Sequence, residues 1–193
     1  MWQENRIKDY IKIHLTKERY NHSLGVMKTS EDLAKHYGIN PNKGRIAGLC
    51  HDCAKNFSAN DLINKARSNG IIISDIYYKS PQLLHGLIGA YISKEMFHVE
   101  DEDILNAIKY HTTGRENMST LEKIVYIADC IEPSRNFKGV EELRTLAYED
   151  LDKALLKSFD DTIMYILSRN SIMHIDTIKA RNYLLVTKRN WYY

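Results

Sequence analysis

Apolar residues recur every three to four positions along almost the whole chain, and no segment alternates apolar and polar residues as a half-buried strand would. Because this spacing places the apolar side chains on one stripe of a helix, the pattern predicts an all-α fold. The predicted helices cover about residues 16–37, 41–53, 58–70, 81–97, 101–110, 119–129, 140–148, 151–169 and 177–189.

Residues with capping chemistry mark several of these helix ends. The Thr16 hydroxyl can accept hydrogen bonds from free amides of a first turn, and Asn40 precedes Pro41, which suits the first helical position. Ser119 and Glu122 have the spacing of a capping box. These signals predict separate helices that are joined by short loops.

Two segments fall outside the helical pattern. Residues 71–73 are all isoleucine but have no obvious strand to pair with, so we predict a buried connection between two helices. The aromatic tail 191–193 is predicted to pack on the domain or on a partner subunit. A homodimer is therefore one expected assembly.

Length and charge limit the classes of protein to consider. The 193 residues suit one domain, and no stretch rich in Pro, Gly or Ser divides residues 1–193. The 27 basic and 25 acidic residues leave a net charge of +2, which is too small to favour a nucleic-acid polymer. The N-terminus lacks the apolar core of a signal peptide, and no segment approaches the roughly 20 apolar residues of a membrane span. We therefore expect a cytoplasmic protein that does not contact a membrane.

The three cysteines are an odd set, which is consistent with reduced thiols. Cys50 and Cys53 form a C-x-x-C pair, but a second pair and a preceding thioredoxin-like strand are missing. We predict that both pack as small core residues one helical turn apart.

Six side chains, spread over most of the predicted helices before residue 130, make the strongest candidate chemistry. They are His22, His51, Asp52, His85, His111 and Asp129. A mixed set of imidazoles and carboxylates exceeds the needs of a closed structural zinc site and suits a catalytic divalent ion, with iron or manganese fitting better than zinc. Asp129 also ends a very apolar run, where an unpaired carboxylate would be costly to bury. The remaining histidines, which are His14, His36, His98 and His174, are expected to be surface or hydrogen-bonded residues.

Five strings carry a resemblance to a known family. They are RYNHSLGV (19–26), HDCAK (51–55), YHTTGR (110–115), IADCIEPSR (127–135) and FKGV (137–140). The order of His22, then His51 with Asp52, then Asp129 resembles the HD-domain metal-dependent phosphohydrolases, and the longer strings resemble the YqeK family within them. The resemblance implies a single HD-domain helical bundle with a core at about 17–135, completed by helices at about 139–189.

The resemblance also implies an activity, the symmetrical hydrolysis of diadenosine tetraphosphate to two ADP by attack of a metal-bound hydroxide. It implies that His22, His51, Asp52 and Asp129 hold one divalent metal, with iron as the first choice and manganese, cobalt or magnesium as alternatives. His85 and His111 either complete a second metal site that Asp52 bridges, or stay free and donate hydrogen bonds to substrate phosphates. One or two ions per chain are thus expected.

Cations near these residues are candidates for binding phosphates. Lys55 lies about one helical turn beyond His51, Arg19 precedes His22 by three positions, and the resemblance puts Arg135 at the phosphates. The candidate catalytic residues are Asp52, Lys55, His85 and His111. The candidate substrate-binding residues are Arg19, Lys55, His85, His111, Thr112 and Arg135, with Thr113 and Gly114 in the same turn. Each cation has an alternative interpretation as a solvated surface charge.

The expected partner is a dinucleoside polyphosphate or a nucleotide diphosphate. One alternative is another HD-type nucleotide phosphohydrolase or phosphodiesterase, which would share the metal chemistry and differ in its substrate pocket. A second alternative is a non-catalytic nucleotide-sensing module that keeps the metal site without useful turnover.

Overall fold

The computed structural model describes residues 1–188, and the fold in that range is all-α, without a β-strand, as predicted. Its helices are α1 (Glu4–His14), α2 (Lys17–His36), α3 (Pro41–Cys50), α4 (Ala59–Ser68), α5 (Asp75–Lys79), α6 (Leu84–Glu95), α7 (Glu102–Tyr110), α8 (Thr120–Ile131), α9 (Val140–Glu149), α10 (Leu151–Ser168) and α11 (Ile175–Thr187). A 3₁₀-helix, Pro81–Leu83, precedes α6. The aromatic tail 191–193 lies outside the described residues.

The capping predictions are largely confirmed. The Thr16 and Asn40 side chains accept hydrogen bonds from the first-turn amides of α2 and α3. Ser119 likewise accepts from the amide of Glu122 at the start of α8, but the reciprocal half of the predicted capping box is missing. The Glu122 carboxylate instead binds the Arg115 guanidinium through two hydrogen bonds of 2.8 and 2.7 Å.

Three local predictions need correction. The sequence pattern missed α1, a short helix that buries only Ile7 and Ile11. It also missed the five-residue α5. The segment 71–73 is not a buried connection, because Ile72 is 97 % exposed while Ile71 and Ile73 pack partly against the core. In a non-helical segment neighbouring side chains point in different directions, so three successive isoleucines cannot all face one core.

Two clusters of buried apolar residues make the core. The first joins α1, α3, α4, α6 and α7, and the second joins α9, α10 and α11. Helices α2 and α8 supply residues to both, with Met27 and Val125 in the first cluster and Val26 and Ile124 in the second. Cys50 and Cys53 lie in the first cluster, as predicted. Helices α2 and α8 therefore occupy the centre of the fold.

Two glycines allow α3 to lie directly against α2. A Cβ atom on Gly48 would stand 2.7 Å from the Val26 carbonyl oxygen and 2.8 Å from the Ser30 hydroxyl oxygen. A Cβ atom on Gly44 would stand 2.9 Å from the Ala34 Cβ. Real Cβ atoms do not approach other atoms so closely, so any larger residue would force the two helices apart.

Within residues 1–188, no helix is both long enough and apolar enough to cross a membrane.

We expect Gly48→Ala to destabilise the protein by about 1–3 kcal/mol, the usual cost of overpacking a close contact. This loss should exceed the gain of up to about 1 kcal/mol that alanine brings inside a helix. Urea unfolding measures the free energy of unfolding, with Asn42→Ala on the exposed face of α3 as the matched control. A Gly48→Ala protein as stable as the control would contradict the close approach of α2 and α3.

Candidate metal centre

The ends of five helices bring the six predicted ligand residues into one buried centre. His22 lies in the second turn of α2, and His51 and Asp52 follow the last residue of α3. His85 lies in the first turn of α6, His111 caps the end of α7, and Asp129 lies in the last turn of α8. Their ligand atoms form two overlapping triplets, each within 4.8 Å of one another: His22, His51 and Asp129, and His51, Asp52 and His111.

Three of the imidazoles are oriented by the same local contact. The Nδ1 atoms of His51, His85 and His111 lie 2.7, 2.5 and 2.7 Å from the backbone carbonyl oxygen of the residue three positions earlier. A carbonyl oxygen only accepts hydrogen bonds, so each Nδ1 must carry the proton and donate it. The Nε2 lone pairs of all three rings are thereby directed into the centre.

These lone pairs meet other acceptors. The Nε2 atoms of His85 and His111 are 3.0 Å apart, and Asp52 Oδ1 lies 3.1 and 3.3 Å from them. Among residues 1–188, no group donates a well-directed hydrogen bond to His51 Nε2 or to Asp52 Oδ1, although both atoms are buried. Buried acceptors that face one another need a cation between them, so this donor set fits a divalent metal.

The two oxygens of Asp52 face different parts of the centre. Oδ1 faces His85 and His111, whereas Oδ2 lies 3.7 Å from His51 Nε2. A carboxylate in this position can contribute one oxygen to the group of ligands around His51 and the other oxygen to the pair His85 and His111.

Burial and mutual contacts set the protonation states. Burial lowers the pKa of His51 to about 4 and also lowers the pKa of His85, so both rings are neutral near pH 7. Burial alone would raise the pKa of the Asp52 carboxyl, but the charge that His51 carries in acid and the Lys55 ammonium hold it well below its usual range. Neutral imidazoles and ionised carboxylates are the forms that bind metals.

Asp129 and His22 form a pair on the other side of the centre. His22 Nε2 lies 3.0 Å from Asp129 Oδ1, and the Arg135 guanidinium lies 2.5 Å from the same oxygen. Burial opposes ionisation of Asp129, yet these contacts keep the pKa of its carboxyl below the ordinary value. His22 and Arg135 thus give the Asp129 carboxylate the partners that it needs at the end of an apolar run.

Glu132 orients His22, a role that the sequence did not reveal. Its Oε1 lies 3.0 Å from His22 Nδ1, and its Oε2 accepts from the Ser134 amide at 2.8 Å. Gly25, one turn beyond His22, leaves the space, since a Cβ there would overlap the Glu132 carboxylate. A carboxylate that receives the Nδ1 proton of a ligand histidine fixes the ring and makes its other nitrogen a stronger donor to a metal.

A pocket of about 490 Å³ opens from this centre to solvent. His22, Asp52 and Asp129 form its floor, and Arg19, Lys55 and Arg135 contribute positive charge. The Arg19 guanidinium donates to the backbone carbonyl oxygen of Lys55 at 2.8 Å, which fixes the Arg19 side chain beside the residue that carries the second cation. Arg135 lies over Asp129 and donates to its carbonyl oxygen at 2.7 Å.

Lys55 and Thr112 are donors at the edge of the centre. The Lys55 Nζ lies 3.0 Å from His85 Nε2, and the Thr112 hydroxyl oxygen lies 3.1 Å from the Nε2 atoms of both His85 and His111. Apart from the neighbouring Thr113 and Gly114, the residues predicted for the site therefore lie in or beside it.

The remaining candidate in this turn and the histidines without a predicted role make contacts outside the metal centre. Thr113 is buried and donates its hydroxyl to the Gly114 carbonyl oxygen. Of the histidines predicted to be incidental, His36 contacts the Tyr148 carbonyl oxygen at 2.8 Å and His174 caps α11.

Comparisons with known proteins agree with this arrangement. The HD domain family model matches residues 19–134. The symmetrical bis(5'-nucleosyl)-tetraphosphatase of Halalkalibacterium halodurans is 44 % identical, over 93 % of this chain and 95 % of that protein. The protein of the same name from Bacillus subtilis is 39 % identical, over 91 % and 94 %.

A solved structure is also similar over nearly the whole chain. It is the crystal structure of a predicted HD superfamily hydrolase involved in NAD metabolism from Clostridium acetobutylicum. The two chains are 50 % identical and superpose with a TM-score of 0.95, over 97 % of this chain and 100 % of that one.

We expect Glu132→Gln to weaken divalent-metal binding about 10–100-fold, because the neutral amide cannot support the His22 imidazole as the carboxylate does. The measurement is a metal titration in competition with a chromogenic chelator. Glu149→Gln, which changes an exposed acid at the end of α9, is the control. Unchanged metal affinity in a folded Glu132→Gln protein would remove the proposed role of Glu132.

Proposed function

This chain belongs to the HD domain family, and on that premise we propose that it hydrolyses diadenosine tetraphosphate symmetrically, giving two molecules of ADP. The relatives named symmetrical bis(5'-nucleosyl)-tetraphosphatase, which match over almost their whole length, support the substrate. One observation in the structure carries the reaction class: a buried centre of metal-binding acceptors opens directly into a pocket with three cations. That combination suits the hydrolysis of a linked phosphate chain.

We propose that each chain holds two divalent ions, with iron as the first choice. His22, His51 and Asp129 would hold one ion, His85 and His111 the other, and Asp52 would serve both. The division of the two Asp52 oxygens between the two sides of the centre supports this assignment. When bound, the ions supply Lewis-acid stabilisation of phosphoryl oxygens and an activated water at neutral pH.

The cationic side chains of the pocket can neutralise the negative charge of the substrate phosphates. Four linked phosphates bring several negative charges, and cleavage at the central linkage leaves additional charge on the departing diphosphate. Arg19, Lys55 and Arg135 all line the pocket over the centre, so several cations can bind one phosphate chain there at the same time. Cations that bind the chain beside the centre orient its scissile linkage for attack.

The same residues also orient the phosphate chain. The planar Arg135 guanidinium is fixed by Asp129 and can present its remaining donors to phosphate oxygens. Lys55 and Thr112 have donors beside His85 and can exchange that contact for a phosphate oxygen. We further propose that the whole chain acts as one HD domain in the cytoplasm, which is supported by its three free thiols.

Metal content tests the assignment of the ligands. We expect two ions per chain in the unaltered protein, close to none in Asp52→Asn and about one in His111→Ala, as measured by elemental analysis of protein reconstituted without oxygen. His36→Gln, which changes a histidine outside the centre, should keep both ions. One ion in the unaltered protein, or no loss in His111→Ala, would contradict the two-ion assignment.

Product analysis tests the activity. Diadenosine tetraphosphate should yield ADP as the sole nucleotide product, removal of the metal with a chelator should stop turnover, and returned metal should restore it. ATP and AMP as products would rule out symmetrical cleavage. NAD belongs in the same substrate panel, because the similar Clostridium acetobutylicum protein is named a hydrolase involved in NAD metabolism. Nucleotide binding without hydrolysis by metal-loaded protein would instead favour the sensing module.

A further inference from the structure

A second pocket adjoins the cationic pocket and has a different character. Its volume is about 560 Å³, within the roughly 300–1,000 Å³ typical of small-ligand sites. Its apolar wall consists of Cys130, Leu143, Phe137 and Tyr165, from α8, α9, the loop between them, and α10. None of these four residues was among those predicted for the candidate site.

The two pockets share a wall. Arg135 and Phe137, both in the loop between α8 and α9, line each of them. Successive residues at the end of α8 also divide between the pockets, since Asp129 lines the cationic pocket and Cys130 the apolar one. A ligand with phosphates held at Arg135 can therefore continue into the apolar pocket without leaving the protein surface.

The lining of the second pocket suits a flat aromatic group. Tyr165 is 65 % exposed and Phe137 is also exposed, and both line the pocket, so aromatic surface is available to a ligand there. Leu143, which is buried, adds apolar surface to the same lining. Ser158, Asp161 and Thr162 add hydroxyl and carboxylate groups, which can accept hydrogen bonds from ring or exocyclic N–H groups.

We propose that this apolar pocket binds one nucleobase of the substrate, while Arg135 holds the phosphates attached to the same nucleoside. The identity of the base, adenine, rests on the proposed function, whereas the recognition of a nucleobase rests on the pocket. The pocket then contributes binding energy that is independent of the metal centre and distinguishes nucleotides from plain polyphosphates.

The test compares two ligands that differ by the nucleoside. Dissociation constants for ADP and for inorganic pyrophosphate are measured with the metal-loaded, full-length protein. Tyr165→Ala should weaken ADP binding roughly tenfold, the usual loss of one base–aromatic stack, and leave pyrophosphate binding unchanged within about twofold. Met164→Ala is the matched control, because Met164 is the neighbouring residue on α10, is 66 % exposed and lies outside the lining of both pockets.

Two results would overturn the proposal. If Tyr165→Ala weakens ADP and pyrophosphate equally, the residue acts on the phosphate site or on the fold. If it weakens neither ligand, the base binds elsewhere. Phe137→Ala gives an independent check, since it too should lose more affinity for ADP than for pyrophosphate. The comparison does not require turnover of diadenosine tetraphosphate, so a failure of the proposed function and a failure of the base pocket give different results.

Discussion

The rest of the structure depends on the burial of several hydrogen-bond acceptors at one point. Imidazole lone pairs and carboxylate oxygens from five helices meet there with few donors among them. Such a cluster is unfavourable by itself, because each acceptor loses water and faces another acceptor. It persists only if the surrounding helices are held firmly and a cation compensates the charge. The close packing of α3 on α2, which Gly44 and Gly48 permit, meets the first condition.

Backbone carbonyl groups at helix ends orient three of the histidine ligands. The last carbonyl oxygens of a helix have no partner within it, and they are available to side chains. His51 and His111 stand immediately after α3 and α7, and each donates to a carbonyl in the final turn of its own helix. His85 uses the 3₁₀-helix before α6 in the same way. The direction of each Nε2 lone pair therefore follows from the position of a helix end.

The loop between α8 and α9 connects the metal centre with both pockets. Glu132 reaches back to His22, Arg135 reaches Asp129, and Phe137 forms part of the wall between the pockets. Arg144 on α9 secures the loop by donating to the carbonyl oxygens of Glu132 and Arg135. Orientation of a ligand, neutralisation of phosphate charge and contact with the rest of a nucleotide thus depend on a few consecutive residues.

The sequence by itself determined the all-α class, most helix boundaries and the set of metal-binding candidates, because apolar periodicity, capping and residue chemistry are local properties. It did not reveal α1, which buries only the two isoleucines Ile7 and Ile11, and it did not reveal that Ile72 is exposed. Only the tertiary structure paired Glu132 with His22, divided the Asp52 oxygens between two ligand groups and placed the apolar pocket beside the cationic one. The Glu132–His22 contact spans 110 residues, and contacts of that kind are set by how the helices pack against one another rather than by any pattern within one of them.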